Sequence, residues 1–361
     1  MIRKKIAVAC GGTGGHIFPG LAVANILLKK GYDVTIWIAG KDIENEALCM
    51  WQGKIVEIKT EGFQYGFSIK SLNTFLKLLI GIFKACYIMK KTSPNVVIAM
   101  GSYASIAPCL AAKYLKIPYI LHEANTVPGR AVNFLSKNAK YIATAFEDTK
   151  KYFQSSNVIH TGMPLRESIS SKLSNESYKN DNDYFTILIT GGSRGAEILN
   201  LIIPKVFRKK IFNDISLKII HITGQRSVEE YKSLYNSINI RSEVYSFVHD
   251  IEKYYSISDL VIARSGASTC AEICAFGLPS ILIPYPYAIH DHQMKNARIL
   301  EAAGASYVIS QNDINEDKIA DYVYDLINSP SKIKFLKRNS KKISQIDACE
   351  KLVDLIEILT R

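Results

Sequence analysis

Two glycine-rich turns carry the chemistry most visible in the sequence. Gly11-Gly12-Thr13-Gly14-Gly15-His16 follows the apolar run Ile6–Cys10 and precedes a helix expected to begin near Pro19. Gly191-Gly192-Ser193-Arg194-Gly195-Ala196 follows the run Phe185–Thr190 in the same way. Glycine permits a tight turn and lets main-chain N–H groups approach a phosphate or a sugar hydroxyl, while the following helix N-terminus adds partial positive charge. The second turn is not a Walker loop, because no Lys-Ser/Thr follows its glycines. A dinucleotide site at the first turn fails on spacing. Ile17 falls where a third glycine is needed, and the run Val34–Ile38 ends in Ala39-Gly40 and not in a ribose-binding acid. An NAD-dependent enzyme is therefore the weaker alternative.

Three further clusters sit at expected strand ends. Arg264-Ser265-Gly266 follows Leu260–Ala263 and opens a helix in which Glu272 lies about one and a half turns along. A carboxylate there can accept bonds from both hydroxyls of a ribose, although a surface ion pair would use the same residue. His122-Glu123-Ala124-Asn125 closes Tyr119–His122, and Asn125 offers a donor and an acceptor suited to sugar hydroxyls. His122 alternatively satisfies a buried loop. His290-Asp291-His292-Gln293 follows Pro284-Tyr285-Pro286, so Asp291 and Gln293 are expected to face a ligand. Two histidines at i, i+2 without further ligands argue against a metal site.

The elements that must position these residues are short apolar runs alternating with amphipathic helix-length segments. Further runs are Val96–Met100, Tyr141–Thr144, Leu217–Ile222, Ser280–Ile283 and Ser306–Ile309. They are continuously apolar, as parallel strands buried on both faces must be, which predicts right-handed β-α-β units in a doubly wound α/β fold. The polar stretch from Ser168 to Asp183 separates two halves that each open on a strand and a glycine turn. The expected division is 1–164 plus 341–361 and 165–340, two domains facing a cleft. The seven cysteines are scattered without a C-x-x-C pair, so they read as reduced core residues. The uncharged stretches Thr92–Ala112 and Ile273–Ile289 are broken by Pro94, Gly101, Pro108, Gly277, Pro279, Pro284 and Pro286. A spanning helix needs roughly 20 continuous apolar positions, so no transmembrane segment is expected.

In order along the chain, Gly11-Gly-Thr-Gly-Gly-His-Ile-Phe-Pro-Gly20, Gly101-Ser-Tyr103, His122-Glu-Ala-Asn125, Gly162-Met-Pro-Leu-Arg166, Gly191-Gly-Ser-Arg-Gly-Ala196, Arg264-Ser-Gly266 with Glu272, and Asp291-His-Gln293 resemble the MurG family of glycosyltransferases. The resemblance covers nearly the whole chain. It implies a GT-B-type fold and an inverting transfer of N-acetylglucosamine from UDP-N-acetylglucosamine to an undecaprenyl-pyrophosphate-linked muramyl-pentapeptide. In that reading Glu272 binds ribose, Ser193 and the amides of Ala267, Ser268 and Thr269 hold phosphate and sugar, and the main chain at Val248 recognises uracil. Asn125, Arg166 and Gln293 match donor-contacting positions, and Thr13, Gly14 and Gly15 face the sugar and the acceptor diphosphate. Gly101, Ser102, Tyr103, His122 and Glu123 fall on the acceptor side. His16 is the candidate base, since an imidazole ordinarily titrates near about 6.5; its alternative is a loop histidine that only orients the glycines or the acceptor phosphate. Amides and helix N-termini meet the leaving-group charge, so no cofactor or metal is implied. The sequence departs from the family pattern at Met294, Ala124, Arg194 and His249, and Met294 leaves Gln293 without the usual second glutamine.

The formal charge of +12 is unevenly spread: no Asp or Glu occurs between Gly62 and His122, where Lys70, Lys77, Lys84, Lys90, Lys91, Lys113 and Lys116 fall. Lysines 70, 77, 84 and 91 recur every two helical turns beside Leu72, Phe75, Leu76, Leu79, Ile82 and Phe83. Such a basic patch suits an anionic partner, whether nucleic acid, anionic lipid or a phosphorylated substrate, and the family resemblance implies reversible association with the cytoplasmic face of an anionic membrane and no nucleic acid. A core-packing helix with a solvated lysine edge has the same pattern. A transferase with another lipid acceptor such as diacylglycerol, a sugar-nucleotide epimerase and a non-catalytic sugar-nucleotide-binding subunit remain open from the residues.

Overall fold

The computed structural model describes residues 3–40, 48, 51–60, 69–174, 183–192, 195–224 and 228–361. It divides the chain into one unit formed by Met1–Glu167 with Gln345–Arg361 and another formed by Ser168–Ser344.

In the first unit strands β1 (Lys5–Ala9), β2 (Asp33–Ile38), β3 (Lys54–Glu57), β4 (Val96–Ala99), β5 (Tyr119–Glu123), β6 (Tyr141–Thr144) and β7 (Val158–His160) form one parallel sheet. Their spatial order is β3-β2-β1-β4-β5-β6-β7. Helices α1 (Gly14–Lys29), α2 (Ile69–Thr92), α3 (Ile106–Tyr114) and α4 (Arg130–Ser136) supply the crossovers, and α5 (Glu167–Ser174) follows the last strand. In the second unit β8 (Phe185–Thr190), β9 (Leu217–Ile222), β10 (Arg241–Tyr245), β11 (Leu260–Ala263), β12 (Ser280–Leu282) and β13 (Ser306–Val308) lie in the order β10-β9-β8-β11-β12-β13. Its helices are α6 (Glu197–Phe207), α7 (Val228–Asn236), α8 (Ile251–Ile257), α9 (Ala267–Phe276), α10 (His292–Ala302), α11 (Glu316–Ile327) and α12 (Pro330–Ile343). The terminal helix α13 (Ala348–Thr360) returns to the first unit, where Cys349, Leu352, Val353 and Ile356 pack with Ile6, Val8 and Val23 on one face of the sheet. The other face is closed by Ala85 and Met89 of α2 and Ala107, Cys109 and Ala111 of α3.

Three strands have no counterpart among the apolar runs of the sequence: β3, β7 and β10. Each is an edge strand with partly exposed residues. An edge faces solvent on one side, so its residues need not be continuously apolar. The first helix also starts earlier than expected. It begins at Gly14 with Pro19 inside it. Proline has no N–H, so the Gly15 carbonyl lacks the donor that a residue four positions on would supply.

In both sheets the strand order reverses direction between the first strand and the fourth of its unit. Such a reversal is where open parallel sheets bind ligands, since the loops leaving the two strands part in opposite directions. The points fall between β1 and β4 and between β8 and β11.

Candidate functional site

At the first reversal the chain leaves β1 through Cys10–Thr13 and leaves β4 through Met100–Ser102. His16, in the first turn of α1, bridges the two: its Nδ1 lies 2.7 Å from the Met100 carbonyl. A carbonyl only accepts, so Nδ1 carries the hydrogen, and in the neutral ring Nε2 is the unprotonated nitrogen. Gly101 follows at φ +89°, and a Cβ there would stand 3.4 Å from both Cε1 and Nδ1 of His16. The bare backbone at Gly101 therefore lets the imidazole lie against it. The Ser102 hydroxyl donates to the Gly11 carbonyl at 2.7 Å and accepts from the Ala104 N–H at 3.1 Å, so it braces the glycine turn. Thr13 and Gly15 are exposed, with Gly14 between them half-buried.

The third loop at this sheet end follows β5. Glu123 is 3% exposed, and its carboxylate accepts the N–H of Asn125 at 2.9 Å and that of Gly129 at 2.8 Å. Burial outweighs these bonds and pushes its pKa up to about 7. It shapes the 124–129 loop and so presents Asn125, which is half-buried. His122 is sealed, its Nε2 donating to the Gly162 carbonyl at 3.0 Å, and burial pushes its pKa down to about 4. Neither side chain lies open to a ligand, whereas Tyr103 is half-buried. The Arg166 guanidinium lies 5.0 Å over the ring of Phe18 in α1.

At the second reversal Gly191 and Gly192 leave β8, and Gly195 leads to α6. Ser193 and Arg194 lie outside the described residues. Beside β8, β11 leads through Arg264-Ser265 to Gly266, the N-cap of α9. The N–H groups of Ala267, Ser268 and Thr269 are the first three of that helix, so none has an intrahelical acceptor and all are suited to phosphate oxygens. Glu272, in the second turn of α9, is 8% exposed and accepts the Tyr255 hydroxyl at 3.2 Å. Val248 lies half-buried on the loop between β10 and α8.

Gln293 is partly committed to its own loop. Its Oε1 accepts the Tyr285 N–H at 2.9 Å, and its carbonyl accepts the Ser265 hydroxyl at 2.8 Å. Arg264 is a brace: its guanidinium donates to the carbonyls of Ile283 and Pro284 at 2.9 and 3.0 Å and to Gln311 Oε1 at 2.7 Å. Buried Asn296 donates to the Ser265 carbonyl at 3.2 Å. Sequence reasoning missed Tyr255, Asn296 and the Met100 carbonyl. No residue type or spacing marks them, because each acts across a sequence gap. Among the described residues no group of three or more His, Cys, Asp or Glu side chains could hold a metal.

The basic helix α2 presents an apolar face that differs from the expected one. Leu76, Ile80, Phe83 and Tyr87, spaced by four, three and four, are 49, 67, 74 and 60% exposed. Ile82, expected outward, instead packs with Leu78 on the core, and Lys84 donates to the Glu57 carbonyl at 2.9 Å. The physical cause is the small stripe of Gly81 and Ala85, which α2 turns onto the sheet and α3, placing Phe83 opposite. Lys91 Nζ stands 4.4 Å from the centre of the Tyr87 ring. Among the described residues no helix is long and apolar enough to cross a membrane.

Residues 6–144 match the glycosyltransferase family 28 N-terminal domain, and residues 186–354 match the C-terminal domain of that family. A protein of Thermoanaerobacter sp. (strain X514) called UDP-N-acetylglucosamine--N-acetylmuramyl-(pentapeptide) pyrophosphoryl-undecaprenol N-acetylglucosamine transferase is 36% identical, with 99% of this chain and 100% of the relative aligned. A Geobacter sulfurreducens protein of the same description is 32% identical over 99% of both. The crystal structure of Acinetobacter baumannii MurG superposes with a TM-score of 0.80 at 29% identity, covering 98% of this chain and 99% of that one. A putative UDP-N-acetylglucosamine 2-epimerase from Listeria monocytogenes reaches 0.71 at 14% identity over 98 and 96% of the two chains, a likeness of fold alone.

Proposed function

The chain belongs to glycosyltransferase family 28 and has a fold of the GT-B type, and from that premise we propose that it transfers N-acetylglucosamine from UDP-N-acetylglucosamine to the 4-hydroxyl of undecaprenyl-pyrophosphoryl-N-acetylmuramyl-pentapeptide. One observation carries this reading: identity of 36% runs end to end through both units, so donor-side and acceptor-side halves match the same transferase together. The epimerase alternative has only the fold in its favour.

The roles are those that the family resemblance implies, and the loops at the two reversal points support several of them. The muramyl hydroxyl attacks C1 of the α-linked sugar and leaves a β-1,4 bond, while UDP departs. His16 accepts the hydroxyl proton at Nε2; the supporting geometry is the Nδ1–Met100 bond, which holds the tautomer with that nitrogen unprotonated. Thr13, Gly14 and Gly15 lie beside the acceptor diphosphate, with Gly101, Ser102 and Tyr103 shaping the same loop. In the second unit the amides of Ala267, Ser268 and Thr269, together with Ser193, meet the developing charge on the diphosphate. Glu272 accepts the ribose hydroxyls, the main chain at Val248 reads uracil, and Asn125, Arg166 and Gln293 contact the donor. His122 and Glu123 act from behind, by shaping the loop that carries Asn125.

The exposed stripe of α2, flanked by Lys77, Lys84, Lys90 and Lys91, seats the protein on an anionic membrane at its cytoplasmic face, where a lipid-linked acceptor resides. Incubation of the purified protein with UDP-N-acetylglucosamine and the lipid-linked muramyl acceptor tests the reaction. Acceptor-dependent transfer is expected; isomerisation of the donor without acceptor, or donor binding without turnover, overturns it.

A further inference from the structure

Behind the second glycine turn lies a buried chain of polar groups with no part in the reaction as described. His221 of β9 is fully buried. Its Nε2 lies 3.1 Å from Asn200 Oδ1 and its Nδ1 lies 2.9 Å from the Tyr235 hydroxyl. Asn200 Nδ2 in turn donates to the Thr223 carbonyl at 2.8 Å. An amide oxygen only accepts, so the ring hydrogen is on Nε2, and Nδ1 must accept from Tyr235. Every direction in the chain is thereby set: Tyr235 to His221, His221 to Asn200, Asn200 to Thr223. Tyr235 belongs to α7 and Asn200 to α6, so the ring joins two helices to one strand end.

The chain ends on the surface that supports the glycine turn. Gly195 has φ +73°, and a Cβ there would stand 2.3 Å from the Thr223 carbonyl oxygen. Gly195 thus rests directly on the carbonyl that Asn200 holds. Thr223 is tied on its other side as well, its N–H donating to the Tyr245 carbonyl at 2.8 Å.

We propose that His221 is a positioning residue for the nucleotide-sugar donor: through Asn200 it holds the Thr223 carbonyl on which Gly195, the last glycine after β8, is seated. Buried networks of this kind specify a single arrangement because every unmade bond inside them is costly. The ring stays neutral, since burial pushes its pKa down to about 3, and the hydrogen on Nε2 is present throughout the working range. The proposal rests on the reading that this turn holds the donor diphosphate.

The test uses two amides that divide the imidazole between them. Glutamine can place its amide nitrogen near the position of Nε2, and asparagine can reach only that of Nδ1. His221→Gln therefore keeps a donor for Asn200, whereas His221→Asn leaves Asn200 Oδ1 without one. UDP binding by titration calorimetry and the KM for UDP-N-acetylglucosamine are measured on the full chain, together with Tm. H221Q is expected within about threefold of the wild type, and H221N about tenfold or more weaker in UDP affinity and KM, with kcat changed less than about threefold. Wild-type UDP affinity in H221N overturns the proposal. Equal losses in both variants with equal falls in Tm overturn it too, because the effect then follows the packing of the ring and not its Nε2–H. Failure of the wild type itself to bind UDP refutes the underlying reading of the turn instead.

Discussion

Replacing Gly101 by alanine perturbs the proposed base without removing it. Two effects follow from the geometry. The first is conformational, because φ is +89° and an L side chain in that half of the map costs about 1–2 kcal/mol. For a domain of this size that lowers Tm by about 2–8 °C. The second concerns His16, whose Cε1 and Nδ1 would both lie 3.4 Å from the new methyl carbon. The ring must give way by about 0.3 Å to reach comfortable van der Waals contact. Since a misplacement of 1 Å can cost about a hundredfold in rate, kcat should fall by about fourfold to tenfold. UDP affinity should not change, because Gly101 belongs to the first unit, whereas Glu272, Val248 and the α9 amides proposed to hold UDP lie in the second. Initial rates of transfer to the lipid-linked acceptor, with UDP titration as a control, measure both. His16→Ala sets the scale, with an expected loss of about 10²–10⁴ in kcat. If G101A loses stability but keeps full kcat, or if H16A turns over near the wild-type rate, His16 is not the base.

The remaining predictions address other parts of the molecule. A carboxyl whose folded-state pKa is raised stabilises the fold most when protonated, so the contribution of Glu123 is complete below about pH 4.5 and is lost as pH climbs through about 7, an amount of about 3 kcal/mol. Urea unfolding at pH 5.5, 7 and 8.5 should therefore show the wild type losing stability relative to Glu123→Gln as pH rises; a constant difference contradicts this. Glu272→Gln should raise the donor KM about tenfold to a hundredfold by weakening charge-assisted bonds to ribose, worth about 1.5–3 kcal/mol, and an unchanged KM removes it from that role. Exchanging Ile80, Phe83 and Tyr87 together for serine should cut binding to anionic vesicles about tenfold or more while leaving Tm near wild type. Ile82→Ser should instead lower Tm with little effect on vesicle binding, and the reverse pattern refutes the assigned face.

What local chemistry dictates was legible in the residues alone. Glycine turns after apolar runs, buried parallel strands such as Phe185–Thr190 and Leu217–Ile222, and the start of a helix at Ser265-Gly266 all depend on backbone preferences and periodicity over a few residues. Partly exposed edge strands such as β10 were not legible, because exposure relaxes the very pattern that reveals a strand. The finer work of the site was decided by folding. That Nδ1 of His16 meets the Met100 carbonyl, that Glu123 serves backbone amides, that Ile82 turns inward while Phe83 turns out, and that His221 reaches Thr223 through Asn200 all depend on groups brought together by strand order and helix packing. Main-chain carbonyls and amides are the same at every residue, so no reading of residue types can say which of them a side chain will find. Strand order and helix packing, which bring distant segments side by side, make that choice.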